Sequence, residues 1–149
     1  MKIGSVLILA LLASAAAPAN ARDLLVSDPA QFRAAVKAAK PGDAILLADG
    51  EWRDFQALFV GTGTATKPIT LAAQTKGKVV LTGQSNLRLA GRHLIVSGLV
   101  FKDGASPTAE VISFRRNSSD LARDSRVTEV VIDGFSKADR RAEDIWVAL

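Results

Sequence analysis

The feature that most constrains this chain is the stretch LIVSGLVF at residues 94–101, where two nearly continuous apolar runs meet at a Ser-Gly bend. The runs have no helical period, and each is too short to form a helix. Strands that are half-buried in an antiparallel sheet alternate apolar with polar residues, whereas strands of a parallel sheet read as continuous apolar runs. The stretch therefore predicts two successive short strands of a parallel sheet, joined by a bend.

Similar short runs, punctuated by Gly, Asp, Asn or Lys, continue to the last residue and predict strands at 44–48, 69–72, 79–82, 87–89, 94–96, 99–101, 111–114, 127–132 and 145–149. A sandwich, a barrel and a solenoid all use such strands. Two-residue hairpin signals are scarce, which disfavours antiparallel meanders. An offset of 33 residues superposes four apolar pairs, namely Leu94 on Val127, Leu99 on Ile132, Ile112 on Ile145 and Phe114 on Val147. These observations favour an all-β solenoid of stacked parallel coils.

One amphipathic helix is predicted at residues 29–39. Asp28 is an N-cap, Pro29 suits the first helical position, and Gln31 stands where a capping box places its Gln. Phe32, Ala35, Val36 and Ala39 share one face. Because the first coil of a solenoid exposes an apolar end, we expect this helix to cover that end as a cap.

The first 21 residues have the composition of an export signal. Lys2 precedes an apolar run over residues 3–17, and Ala19-Asn20-Ala21 forms an A-x-A cleavage site before Arg22. Removing residues 1–21 takes away only Lys2, so 18 basic minus 15 acidic residues leave a net charge of +3. We therefore expect a periplasmic or secreted protein whose partners are acidic polysaccharides, with no nucleic-acid partner and no membrane contact after cleavage.

Five segments resemble a known family: PGDAILLADGEW (41–52), KPITLAAQ (67–74), VVLTGQSNLRLAGRHLIVSGLVFKDG (79–104), VISFRRN (111–117) and SRVTEVVIDGF (125–135). They are similar to the opening coils of the chondroitinase B and alginate lyase family, the sixth family of polysaccharide lyases. The third segment is fairly specific to it, whereas PGDAILLADGEW and KPITL are common among parallel β-helices. The resemblance implies a right-handed parallel β-helix over residues 22–149 and cleavage of a uronate polymer, alginate more often than dermatan sulfate.

The resemblance also implies a mechanism of β-elimination. In the family, a bound Ca²⁺ neutralises the uronate carboxylate, a Lys removes the C5 proton, and an Arg assists at the departing oxygen. A cation stabilises the charge that develops after proton removal. The family's Asn and Glu ligands and its catalytic Lys and Arg lie on later coils, so no residue of this sequence is assigned as catalytic or as a metal ligand. The chain ends within a predicted strand, and we expect it to be the N-terminal part of a longer enzyme, inactive alone.

Four basic residues are candidates for contact with uronate: Arg115 and Arg116 after the strand at 111–114, and Lys137 and Arg140 in a later loop. Arginine pairs bind carboxylates bidentately. Solvated charges at turns are the simpler interpretation of all four. Asp139, Glu143 and Asp144 match no known calcium loop. His93, the only histidine, is expected at a coil corner and excludes any multi-histidine site.

Three functions remain open at this stage. The first is the N-terminal portion of an exported polysaccharide lyase. The second is a non-catalytic β-helix that binds acidic polysaccharide through the four basic residues. The third is a remnant that folds poorly because its last coil is exposed.

Overall fold

A computed structural model describes residues 20–149, so the predicted signal peptide at residues 1–21 lies almost wholly outside the described residues. The elements are β1 (Asp23–Val26), α1 (Pro29–Ala38), β2 (Ala44–Leu47), β3 (Gly50–Arg53), β4 (Gln56–Thr62), β5 (Ile69–Ala73), β6 (Val79–Gly83), β7 (Asn86–Arg92), β8 (Leu94–Ser97), β9 (Leu99–Gly104), β10 (Glu110–Ser113), β11 (Ala122–Arg123), β12 (Arg126–Thr128), β13 (Val131–Phe135) and β14 (Ile145–Ala148). No helix in this range is long and apolar enough to cross a membrane.

The strands form three parallel sheets that enclose one core, as a β-helix requires. Sheet A has the order β1-β2-β5-β8-β12, and sheet B has the order β3-β6-β9-β13. In sheet C, β7 pairs with β4 on one side and with β10 and β11 on the other, and β14 follows β10. The chain therefore completes roughly three turns of a right-handed solenoid, and the predicted fold class is confirmed.

The stretch LIVSGLVF forms two strands of one coil, β8 and β9, as its pattern predicts. Gly98 lies between them with a φ of 81°, in the left-handed region that glycine enters without steric cost. Leu94, Val96, Leu99 and Phe101 are fully buried, so both runs point alternate side chains into the core. The segment Lys102–Gly104 forms the end of β9.

Helix α1 covers the amino-terminal end of the solenoid, as predicted. Asp28 caps it by accepting hydrogen bonds from the main-chain nitrogens of Ala30 and Gln31, both at 2.8 Å. Phe32 is buried, and its ring meets Phe55 edge-on with centroids 5.1 Å apart. The Gln31 side-chain oxygen accepts a 2.9 Å hydrogen bond from the main-chain nitrogen of Ser27 and not from that of Asp28. It therefore holds the residue that precedes the N-cap.

The register differs from the 33-residue offset. β12 sets Val127 beside Val96, not Leu94, and β13 sets Ile132 beside Phe101, not Leu99. In sheet C, Ile112 lies beside Val147 instead of Ile145. The offset is 31 residues from β8 and β9 to β12 and β13 but 35 residues from β10 to β14, because the connection 136–144 is four residues longer than the connection 105–109. No single period therefore describes successive coils.

Two further strand predictions need correction. The run at 127–132 is two strands, β12 and β13, and Glu129 between them has a φ of 55°. Strands β1, β3, β4 and β11 have no counterpart among the predicted strands. In β3, only Trp52 is buried, so its sequence carries little apolar signal.

Candidate functional site

Sheet C carries a looped segment that places the first two candidate residues on the surface. β10 pairs with residues 87–88 of β7, and β11 pairs with residues 91–92 of the same strand. Residues 114–121, here called the excursion loop, leave the sheet between them. An antiparallel bridge from Arg115 to Leu121 and a 2.7 Å hydrogen bond from Ala122 N to Phe114 O close its base. The loop is therefore a fixed hairpin on the outside of the solenoid.

Each arginine of the excursion loop already has a carboxylate partner. Arg115 Nη2 lies 3.4 Å from Glu110 Oε1, and Arg116 Nη2 lies 2.6 Å from Asp120 Oδ2. Their side chains are 40% and 48% exposed, so each guanidinium keeps free N–H groups toward solvent. Arg115 and Arg116 can therefore bind a second carboxylate through these free N–H groups while each keeps its own partner.

The tip of the excursion loop is held by Asn117. Its Oδ1 accepts hydrogen bonds from the main-chain nitrogens of Ser119 at 3.0 Å and Asp120 at 2.9 Å. This Asx turn orders the segment that positions Asp120 against Arg116. The loop thus presents its charges in one defined arrangement.

The connection 136–144 holds the other two candidates. Lys137 donates through Nζ to the Glu143 carbonyl at 2.5 Å, and its main-chain nitrogen donates to Asp144 Oδ2 at 3.0 Å. Arg140 is exposed and forms no hydrogen bond or ion pair with any of residues 20–149. Of the four candidates, Arg140 therefore has the most freely available positive charge.

The structure does not join the four candidates into one contact network. Arg115 and Arg116 follow the carboxyl end of β10, whereas Lys137 and Arg140 precede the amino end of β14, the strand that pairs with β10. No hydrogen bond or ion pair links the two pairs within the described part of the chain. They flank sheet C at opposite ends of its strands.

A second basic group was not singled out from the sequence. β11 sets Arg123 beside Arg92, and Arg126 follows at the start of β12, past the corner from sheet C to sheet A. The Asp124 carboxylate at this corner forms an ion pair with Arg92 at 3.1 Å. Arg123 and Arg126 are exposed and do not share this carboxylate. The run ARDSR at residues 122–126, in which three of five residues are charged, is the sequence pattern that points to these two arginines. His93 lies at the preceding corner with a φ of 51°, as expected.

The described residues do not fit a calcium centre. Within residues 20–149, no group of three or more His, Cys, Asp or Glu side chains lies close enough together to hold a metal ion. Asp139 and Asp144 accept hydrogen bonds from the main-chain nitrogens of Arg141 and Lys137 instead. These two carboxylates stabilise the connection 136–144.

The capped stack of parallel coils defines the chain as a β-helix protein. A family model described as Chondroitinase B matches residues 26–149, and the chain therefore belongs to the chondroitinase B family. No curated protein matches the chain.

Solved structures agree with this family. The chain is 64% identical to a PL6 family alginate lyase named AlyGC, with a TM-score of 0.83 over 84% of this chain and 17% of that one. It is 34% identical to a PL6 family polysaccharide lyase from Pseudopedobacter saltans, with a TM-score of 0.75 over 83% of this chain and 28% of that one. A mannuronic acid specific family 6 lyase from human gut microbiota is 26% identical, with a TM-score of 0.71 over 85% of this chain and 30% of that one. The chain thus spans about a sixth to a third of the length of these structures.

Proposed function

We propose that this chain forms the N-terminal coils of an exported polysaccharide lyase. The enzyme cleaves a uronate-containing polymer by β-elimination, with alginate as the expected substrate. The 64% identity with an alginate lyase over 84% of this chain carries the proposal. The leader-like residues 1–21 support a periplasmic or secreted location, where such polymers are met. Residues 22–149 are the scaffold of this enzyme in the proposal.

The exposed end of the last coil supports a longer protein. Trp146 and Val147 of β14 are 56% and 51% exposed, and Leu149 is 88% exposed. β12, β13 and β14 each end their sheet and have one unpaired edge. Open edges and apolar side chains favour pairing with another strand. We propose that a further coil of the same protein stacks on this end.

The proposed catalytic groups are not residues of this chain. Ca²⁺ is proposed only for the complete enzyme, and its ligands would come from outside residues 20–149, as would the basic Lys and the assisting Arg. This part contributes rigid coils and surface charge. Arg116 and Arg140, the most exposed of the four candidates, are proposed to hold uronate carboxylates at the two opposite ends of the strands of sheet C.

The test of the lyase proposal uses the longer reading frame that contains this chain. The product is purified and mixed with alginate and Ca²⁺, and the ultraviolet absorbance of the new C4=C5 double bond is followed. We expect absorbance to rise with the longer product and not with the 149-residue chain. Absence of product from alginate and from dermatan sulfate would refute the lyase proposal.

A non-catalytic module that binds acidic polysaccharide is the second candidate, favoured by the unpaired Arg140. It predicts that the chain alone binds alginate at low salt and releases it as salt rises. Arg116→Ala and Arg140→Ala should each weaken binding about two- to fivefold, the range of one exposed ion pair. Arg33→Ala on the outer side of α1 is the charge-matched control. Equal loss in all three variants would indicate general charge attraction and refute a defined surface.

A further inference from the structure

A buried carboxylate lies where the predicted mature chain begins. The Asp43 side chain is only 3% exposed and sits just before β2. It accepts four hydrogen bonds: from Arg22 N at 3.1 Å, Arg22 Nε at 3.3 Å, Arg22 Nη2 at 2.5 Å and Lys40 N at 2.9 Å. A carboxylate buried at this point needs such donors, because an unpaired charge there would be costly.

The main-chain nitrogen of Arg22 is fixed by the fold. The carbonyl oxygen of Arg22 accepts a 2.8 Å hydrogen bond from Ala44 N, so Arg22 extends the ladder between β1 and β2 by one residue. The predicted cleavage bond joins Ala21 to this nitrogen. Hydrolysis breaks that C–N bond: the hydroxyl of water goes to the Ala21 carbonyl carbon, which leaves as a carboxylate. The Arg22 nitrogen gains protons and becomes an α-ammonium.

We propose that Asp43 is a built binding site for the α-ammonium group that processing creates on Arg22. The inference rests on the proposed export of the chain. In the precursor the carboxylate accepts from a neutral amide, whereas after cleavage the same nitrogen carries a full positive charge, so Coulombic attraction is added to a contact that the fold already makes. The same carboxylate that holds an amide in the precursor then holds a cation in the mature protein.

The other charges near this site oppose the effect only in part. The Arg22 guanidinium shares Asp43, but its side chain is 47% exposed and is screened by water. The Lys67 side chain passes beside Gly42, next to Asp43, and its Nζ has no ion-pair partner in the described range. Removing the guanidinium should therefore increase the contribution of the α-ammonium.

In the test, the full chain is exported with its leader, and two mature proteins that differ in their first residue are compared. N-terminal sequencing should show that the natural chain begins at Arg22. The matched variant carries one inserted leucine between Ala21 and Arg22, which restores an amide at the Arg22 nitrogen after cleavage. We expect the natural start to melt about 2–5 °C higher at pH 7. The advantage should disappear when both forms carry Asp43→Asn, and it should grow when both carry Arg22→Thr.

The outcomes are separable. A natural start other than Arg22 overturns both the predicted processing and this inference. A start at Arg22 with equal melting temperatures for the two forms overturns the inference and leaves export intact. If the Asp43→Asn forms do not fold, the Arg22→Thr pair decides, because a smaller advantage in that pair contradicts a site for the α-ammonium. Lyase activity of the longer protein is measured separately and is unaffected by these results.

Discussion

Gly91→Ala tests how closely the coils of sheet C stack. Gly91 lies in β7 beside Gly61 of β4, with a φ of +116°. A Cβ at this position would stand 1.9 Å from the Gly61 carbonyl oxygen. Carbon–oxygen contacts between adjacent strands are about 3.3–3.6 Å, so the two strands would have to separate by more than about 1 Å. The ladder between β4 and β7 cannot absorb this without losing hydrogen bonds.

Two costs add at this residue. An alanine held in the left-handed region costs about 1–3 kcal/mol, and overpacking costs about 1–3 kcal/mol. We therefore expect Gly91→Ala to reduce the free energy of unfolding by about 2–6 kcal/mol, a large share of the usual total. Urea unfolding followed by circular dichroism measures the change as a lower midpoint at constant slope.

Two other glycines separate the costs. Gly77 has a φ of +78° with no atom within 4 Å of an added Cβ, so Gly77→Ala should show only the conformational cost. Gly104 does not lie in the left-handed region, but its Cβ would stand 2.1 Å from the Gly83 carbonyl oxygen, so Gly104→Ala should show only the steric cost. If Gly91→Ala loses no more than Gly77→Ala, the close approach of Gly61 and Gly91 is refuted.

Changes at three residues test the packing of helix α1, its N-cap and the buried carboxylate of Asp43. Phe32→Ala should cost about 3–5 kcal/mol because it removes the ring packed against Phe55, while exposed Arg33→Ala should stay within about 0.5 kcal/mol. A similar loss in both would contradict the capping role. Asp28→Ala should cost about 0.5–2 kcal/mol, and Asp28→Asn much less because it keeps an acceptor. The side-chain hydrogen bond from Arg22 lowers the pKa of Asp43 to about 2. Since the unfolded pKa is about 3.9, the stability from this carboxylate is present above about pH 4 and falls toward pH 2, and Asp43→Asn should flatten that acid limb of the urea midpoint.

The sequence predicts the positions of Arg115 and Arg116 but not their ion-pair partners. The positions of Arg115 and Arg116 directly after a strand follow from the local pattern, and the structure places them there. Their partners do not follow from it. Glu110 lies on β10, before the excursion loop, and contacts Arg115 from there, whereas Asp120 contacts Arg116 across the turn that Asn117 closes. Which arginines stay free is therefore a property of the folded loop.

By itself the sequence determined the short strands, the bend at Gly98 and the cap begun by Asp28, because each depends on neighbouring residues alone. Only the tertiary structure decided the register, since strand pairing depends on the lengths of connections far apart in the chain. The same holds for β3, which is a strand because β6 pairs with it along its whole length. Backbone hydrogen bonds between coils thus selected structure that the side chains of Gly50–Arg53 do not encode.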